Sequence, residues 1–160
     1  MSGCEIAMHP RLHPALARRF SPVRFDPQGT ASSAQVDVWL DAARKAPAAG
    51  NSQPWMIIMV NLAHVLIEGT TDWECSEFSR YDLGQAVAHM SIQGLAVGLD
   101  AHQFRAFGRE AVAAEFGVPS DWKVASMTAF GVAAHAAGGV AAPGNSRERA
   151  TIRDITWARI

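Results

Sequence analysis

Three arginines and a serine lie close together near the start of the chain, in a segment that prolines keep out of a helix. Within seven residues the segment contains Arg18, Arg19, Phe20, Ser21 and Arg24. Guanidinium groups and a hydroxyl on an irregular backbone are well suited to binding a phosphate group. A solvated basic turn is the alternative, and without further context it is the more common use of such residues.

A second segment with chemical capacity runs from Ala46 to Trp55. Two prolines, a glycine and several small residues give it an extended, tightly turned backbone with little side-chain cover. Asn51 and Gln53 add amide groups that both donate and accept hydrogen bonds. Such a loop suits a planar ligand that approaches the backbone and receives a few directed hydrogen bonds. An ordinary helix-to-strand connection explains the same residues equally well.

Length and composition limit the classes of protein to consider. The 160 residues carry a formal net charge of −1, and 49% of them are hydrophobic, which predicts a single domain over residues 1–160 with a substantial core. The near-zero charge gives no electrostatic sign of nucleic-acid or membrane binding. Cys4 and Cys75 lie far apart, and the N-terminus lacks the pattern of a secretion signal. We therefore expect a cytoplasmic protein without a disulfide framework.

Several common kinds of active site are poorly supported. The six histidines are scattered. His9 and His13 are four residues apart, but both precede the helix predicted at 14–18, and there is no cysteine cluster, so the sequence predicts no metal site. It contains no nucleophile-elbow motif, phosphate-binding loop or dinucleotide fingerprint. The positive evidence for a functional site is therefore the arginine–serine segment, the loop around Asn51 and the basic C-terminal tail.

The elements that position these residues alternate between helix and strand, which predicts an α+β fold. A loose leader covers residues 1–12 and a C-terminal tail covers residues 146–160; we expect the tail to dock on a partner subunit. Patterns of apolar residues and turn signals predict helices at 14–18, 32–45, 81–99 and 108–116 and extended segments at 55–61, 63–68, 100–107 and 123–134. Residues 69–77 read as a polar loop, and the helix at 81–99 is apolar nearly all round, as in a core or a subunit interface.

The order of these motifs resembles the FMN-dependent nitroreductase family. The resemblance rests on the segments 19–22, 25–27, 42–47, 51–55, 81–86 and 98–103 and continues through 107 and 116–119 to the strand ending at 131. It implies a three-layer sandwich, with a central antiparallel sheet flanked by helices, and an intertwined homodimer that holds one FMN per subunit at the interface.

The resemblance also implies cofactor roles for four groups of residues. Arg19 and Ser21 match the family's grip on the phosphate and ribityl chain. The small-residue loop would lie against the flavin of the partner subunit, and backbone N–H groups after the long helix would face flavin N5. Basic residues near the C-terminus would close over the phosphate. The full set of candidate cofactor-binding residues is Arg18, Arg19, Phe20, Ser21, Arg24, Pro47, Ala48, Ala49, Asn51, Gln53, Arg105, Ala106, Arg147 and Arg149.

The activity implied is hydride transfer from NAD(P)H through FMN to a nitroaromatic, a quinone or a similar small conjugated acceptor by a ping-pong route. No catalytic protein side chain is implied, because the cofactor supplies the chemistry. Two alternatives stay open: a related flavin enzyme that acts as a dehydrogenase or oxidase or on flavin itself, and a non-enzymatic FMN-binding protein. The chain departs from the family's pattern in its short 61–80 interval, at Val23 where a basic residue is usual, and at Ala106 where glycine is usual.

Overall fold

A four-stranded antiparallel sheet in the order β1-β2-β4-β3 forms the base of the fold. The computed structural model describes residues 12–48, 51, 53, 55–60, 65–71, 76–140 and 150–158. The strands are β1 (Trp55–Val60), β2 (Val65–Thr71), β3 (Asp100–Phe104) and β4 (Trp122–Gly131), and the helices are α1 (Pro14–Arg18), α2 (Ser33–Arg44), α3 (Ser76–Ala96) and α4 (Arg109–Glu115). The predicted α+β class is confirmed.

Local signals in the sequence set the ends of α2. Ser32 is the N-cap: its Oγ accepts from the backbone N–H of Gln35 at 3.3 Å, and the Gln35 side chain accepts from the Ser32 N–H at 2.9 Å. This reciprocal arrangement satisfies two of the donors that a helix start leaves unpaired. The predicted start and end of this helix are both confirmed.

Local signals in the sequence also set the end of α3. Gly98 has a φ of 87°, the left-handed conformation that glycine adopts at low cost. The Leu99 N–H donates to the Gly94 carbonyl at 2.9 Å, and the Gly98 N–H donates to the Leu95 carbonyl at 3.3 Å. These two bonds form a Schellman motif, which stops the helix and turns the chain directly into β3.

The prediction of a polar loop over 69–77 was wrong at both ends. Gly69–Thr71 continue β2 and pair with β4, after a register shift between Glu68 and Gly69. Helix α3 then begins at Ser76, five residues earlier than predicted. The polar composition of this stretch predicted neither the end of the strand nor the start of the helix, because cross-strand pairing and tertiary packing override local propensity.

The core lies between α2, α3 and the sheet. Trp39 of α2 is fully buried and stacks on Phe130 of β4, with ring centroids 4.7 Å apart and planes 18° apart. Leu83, Val87 and Met90 of α3 are buried in the same cluster. The opposite face of α3 is exposed at its N-terminal half, where Phe78 and Tyr81 are 51% and 65% exposed. None of the described helices combines the length and the apolar character that crossing a bilayer requires.

Candidate functional site

The arginine–serine segment begins where α1 ends, and two of its side chains converge. Arg19 Nη1 donates to Ser21 Oγ at 3.3 Å, and both residues are partly buried. Pro22, which follows, is buried and fixes the backbone direction. A guanidinium and a hydroxyl held together at a protein surface offer several hydrogen bonds to one anionic group.

The chain after β4 holds this segment in place. The backbone N–H of Val23 donates to His135 Nε2 at 3.1 Å, and the Ala134 N–H donates to the Arg24 carbonyl at 3.0 Å. Since His135 Nε2 accepts, the ring proton is on Nδ1, which donates to the Ala136 carbonyl at 2.9 Å. The ring of Phe20 packs edge-on against His135, with centroids 5.7 Å apart. Sequence reasoning treated His135 as one of six scattered histidines and missed this role.

Arg18 has a partner inside the fold. Its Nη2 donates to the Leu95 carbonyl at 2.5 Å, in the last turn of α3. A cation is favourable at a helix C-terminus, where carbonyl groups carry partial negative charge. This contact ties α1 to α3 and gives Arg18 a structural function; its predicted role in binding a cofactor phosphate stays a prediction.

The loop after α2 has an unusual backbone. Asn51 and Gln53 have φ values of 56° and 46°, in the left-handed region that non-glycine residues rarely occupy. The Gln53 amide donates to the Asn51 side-chain oxygen at 3.2 Å, and the Asn51 N–H donates to the Ala48 carbonyl at 2.9 Å. Backbone strain of this kind concentrates at ligand-binding sites, which favours the functional interpretation of the loop. Ala49 of this loop lies outside the described residues.

The loop and the arginine–serine segment are attached to distant points of the same helix. Pro47 accepts from the Gln85 side chain at 3.3 Å, whereas Arg18 donates to the Leu95 carbonyl. The two attachment points are ten residues apart, or about 15 Å along α3 at 1.5 Å per residue. One chain therefore presents the two predicted halves of the site at well-separated places.

Arg105 lines a cleft of about 570 Å³ that lies between α3, α4, the end of β3 and the start of β4. Three further basic residues line it: Arg80, Arg109 and Lys123. Neither the arginine–serine segment nor the Asn51 loop is among the described residues that form its wall. Ala106, next to Arg105, is exposed. The sequence predicted Arg105 as a cofactor-binding residue and gave no reason to group it with the other three basic residues.

The basic tail is described only from residue 150. Arg147 and Arg149, which were predicted to close over a phosphate, lie outside the described residues. Ile152, Ile155 and Trp157 are largely exposed. The Thr151 hydroxyl and backbone N–H donate to the Asp154 carboxylate and hold its pKa below the ordinary value. No cluster of potential metal ligands occurs in the part of the chain that the structure describes.

Solved structures with the same architecture come from proteins of low sequence identity. A nitroreductase-like protein from Streptococcus mutans superposes with a TM-score of 0.75 at 18% identity, over 91% of this chain and 96% of that one. The chain has the nitroreductase fold. A Staphylococcus epidermidis protein described as a candidate NAD(P)H:FMN oxidoreductase gives a TM-score of 0.75 at 18% identity, covering 89% of this chain and 92% of that one.

A third solved structure, described as that of an oxidoreductase containing FMN, gives a TM-score of 0.69 at 21% identity, over 84% of this chain and 83% of that chain. No protein-family model matches the sequence, and no curated protein matches it significantly. At these identities the likeness establishes the fold, and the activity has to be argued from the residues of the site.

Proposed function

We propose that this chain is a homodimeric FMN-dependent oxidoreductase that takes electrons from NAD(P)H and reduces a small conjugated acceptor such as a nitroaromatic or a quinone. The main support for this proposal is the hydrogen bond from Arg19 Nη1 to Ser21 Oγ, at 3.3 Å, in a chain that has the nitroreductase fold. In this proposal the pair binds the FMN phosphate, and the FMN when bound supplies the hydride chemistry.

The residues of the chain fit that cofactor in type and number. A dianionic phosphate requires forked or hydroxyl donors, which Arg19 and Ser21 provide. Arg24 follows on the same segment, whose backbone is fastened to the chain after β4 by the Ala134–Arg24 hydrogen bond. Arg147 and Arg149 would add positive charge over the phosphate. The side-chain amides of Asn51 and Gln53, whose backbone has positive φ, would form directed hydrogen bonds with the flavin ring.

The separation of the two halves along α3 supports the homodimer in this proposal. The Asn51 loop and the Arg19 segment are attached to points about 15 Å apart on this helix. A two-fold axis near α3 would place the loop of one protomer beside the arginine–serine segment of the other. Exposed apolar side chains on α3, Phe78 and Tyr81, supply surface for such an interface.

A non-enzymatic flavin-binding protein is the second candidate, and the short connection between β2 and α3 favours it. Strand β2 ends at Thr71 and α3 begins at Ser76, which leaves little chain to cover a flavin ring. The Staphylococcus epidermidis protein supports the enzyme instead: 92% of it is covered by this chain, and it is described as a candidate NAD(P)H:FMN oxidoreductase. We therefore place the enzyme first.

Anaerobic reduction separates the two candidates. The purified protein is saturated with FMN and mixed with NADPH or NADH while the flavin absorbance is followed. Bleaching by either nucleotide, followed by recovery of the colour on addition of a quinone or nitroaromatic, is the expected result. Bound flavin that neither nucleotide reduces would support the binding protein, and a protein that takes up no FMN would contradict both candidates.

Arg19→Ala tests the phosphate assignment. Removing a charge-assisted contact should weaken FMN binding by at least about tenfold, measured by titration of flavin fluorescence. Arg44→Ala is the matched control, because Arg44 is an exposed arginine that pairs only with Asp41 among the described residues. Equal FMN affinity in the Arg19 variant and the control would show that Arg19 does not hold the phosphate.

A further inference from the structure

Two successive hydrogen bonds join β3 to α3 and fix the orientation of one glutamine side chain. The Ser91 hydroxyl donates to the Val87 carbonyl at 2.8 Å within α3, and Ser91 is 5% exposed. The Gln103 Nε2, from β3, donates to Ser91 Oγ at 3.0 Å. A carbonyl only accepts, so the single hydroxyl proton points to Val87 and the Ser91 oxygen accepts from Gln103. The Gln103 amide is therefore held with its NH₂ group toward α3.

This orientation leaves Gln103 Oε1 as an acceptor on the other side of the amide. Gln103 is exposed and lines the cleft of about 570 Å³ between α3, α4 and the sheet. An amide turned by 180° would present its NH₂ group to the cleft instead, and a ligand would then meet a donor. The buried Ser91 hydroxyl therefore decides which of the two groups faces a ligand in this cleft.

The walls of the cleft suit a planar ring with polar atoms along one edge. Leu83 and Val87 of α3 provide apolar surface, and Trp122 adds an aromatic side chain. Gln103 and Arg105, from β3 and the segment directly after it, provide polar groups. The volume of about 570 Å³ falls within the range of sites that enclose a small organic molecule. Because Arg105 is one of the residues expected beside the flavin, the proposed function brings the flavin ring to this cleft.

The hydrogen-bonding groups of the flavin ring narrow the choice of partner for Gln103. The polar edge of the oxidised ring carries two carbonyl oxygens and the nitrogens N1 and N5, which are all acceptors. It carries a single N–H, at N3. An acceptor placed against another acceptor loses its hydrogen bonds to water and gains none in return. Gln103 Oε1, held as an acceptor, therefore matches the oxidised ring at N3–H alone.

We propose that Gln103 Oε1 accepts a hydrogen bond from flavin N3–H and that Ser91 is the residue that positions it. This inference rests on the proposed FMN function and adds a residue that orients the ring. The short connection from Thr71 to Ser76 supports it, because little chain remains there to meet the ring and the recognition falls to other segments. A bond to the one donor of the polar edge fixes the direction of the ring within its plane.

Binding of FMN and of 3-methyl-FMN, in which a methyl group replaces the N3 proton, tests this contact. The flavin-free, full-length protein is titrated with each while flavin fluorescence is followed. The unchanged protein should bind FMN at least about fivefold more tightly than the methyl analogue. Gln103→Leu should weaken FMN binding by about fivefold and bring the two affinities together. An unchanged ratio of the two affinities in Gln103→Leu would overturn the contact.

Variants of Ser91 test its positioning role. Ser91→Ala removes the acceptor that holds the amide and should reduce the preference for FMN over 3-methyl-FMN, whereas Ser91→Thr keeps a hydroxyl and should retain it. A merely structural role would lower stability to urea without changing that preference, and this result would overturn the positioning. Gln28→Leu is the matched control, because Gln28 is exposed and is not among the described residues that line the cleft. It should leave both affinities unchanged.

Failure of this inference and failure of the proposed function give different results. If the unchanged protein takes up FMN and Gln103→Leu keeps the same preference for FMN over 3-methyl-FMN, the Gln103 contact is overturned and the flavoprotein remains. If the unchanged protein takes up neither flavin, the proposed function is overturned and this inference with it.

Discussion

His135 links two parts of the chain that are 112 residues apart, because its Nε2 accepts a hydrogen bond from the Val23 N–H at 3.1 Å. That bond fixes the neutral tautomer of the ring and the direction of the segment that carries Arg19 and Ser21. The ring of Phe20 packs edge-on against His135 and adds an apolar contact between the same two segments. The geometry of the proposed phosphate site therefore depends on a residue that touches no ligand in our proposal.

His135→Ala should leave the partly buried Val23 N–H without a partner. We expect a loss of about 1–2 kcal/mol in the free energy of unfolding, measured by urea denaturation, together with weaker FMN binding. His135→Gln is the conservative variant, because its amide oxygen is able to accept from the same N–H. A His135→Ala protein with unchanged stability and unchanged flavin affinity would contradict the positioning role.

The residues that the sequence predicts well are those whose signals are local. Pro14 at the start of α1, Ser32 before α2 and Gly98 after α3 each act within a few positions of themselves. The hydrogen bonds from Arg18 to Leu95 and from Val23 to His135 link positions 77 and 112 residues apart. Such pairs depend on the tertiary arrangement, so no local pattern identifies them. For the same reason, no local pattern in the sequence predicts that the four basic residues of the cleft lie together.

At the scale of elements, α3 connects the candidate site, the core and the cleft. Its buried face packs through Leu83, Val87 and Met90, and the Gln85 and Leu95 positions attach the loop and the arginine–serine segment. The apolar pattern correctly predicted a long helix with a buried side. It did not predict the polar first turn at Ser76, since apolar periodicity begins only later in the helix.

Two glycines of α3 form a matched pair for measuring how tightly this helix is packed. A Cβ on Gly94 would come within 3.0 Å and 3.1 Å of two Phe130 ring atoms, whereas a Cβ on Gly84 would meet nothing within 4 Å. Gly84→Ala should therefore stabilise by up to about 1 kcal/mol through helix propensity. Gly94→Ala should destabilise by about 1–2 kcal/mol, since overpacking exceeds that gain.

Thermal and urea unfolding of the two glycine variants provide the measurement. The opposite signs are the expected result, because both substitutions make the same chemical change on the same helix. Destabilisation by Gly84→Ala would contradict the open surface described at that position and would show that another group packs against it. Unchanged stability in Gly94→Ala would contradict the close contact with Phe130.

At the scale of the whole molecule, our proposal divides the flavin site between two protomers. The fold matches solved structures over most of their length, and the site halves are attached about 15 Å apart on α3. If the division is correct, cofactor binding and dimer formation stabilise each other, because FMN would bind only the assembled state.

Heterodimers built from differently tagged protomers test this division most directly. One protomer carries Arg19→Ala and the other carries Asn51→Gly, where glycine keeps the positive φ of 56° that Asn51 adopts. With the site shared between protomers, this pairing leaves one intact site of the two in each dimer. The control pairs a double variant with an unchanged protomer and leaves none. The measurement is bound flavin per dimer: we predict about half of the unchanged amount in the first pairing and little in the control, and the reverse result would contradict a site shared between protomers.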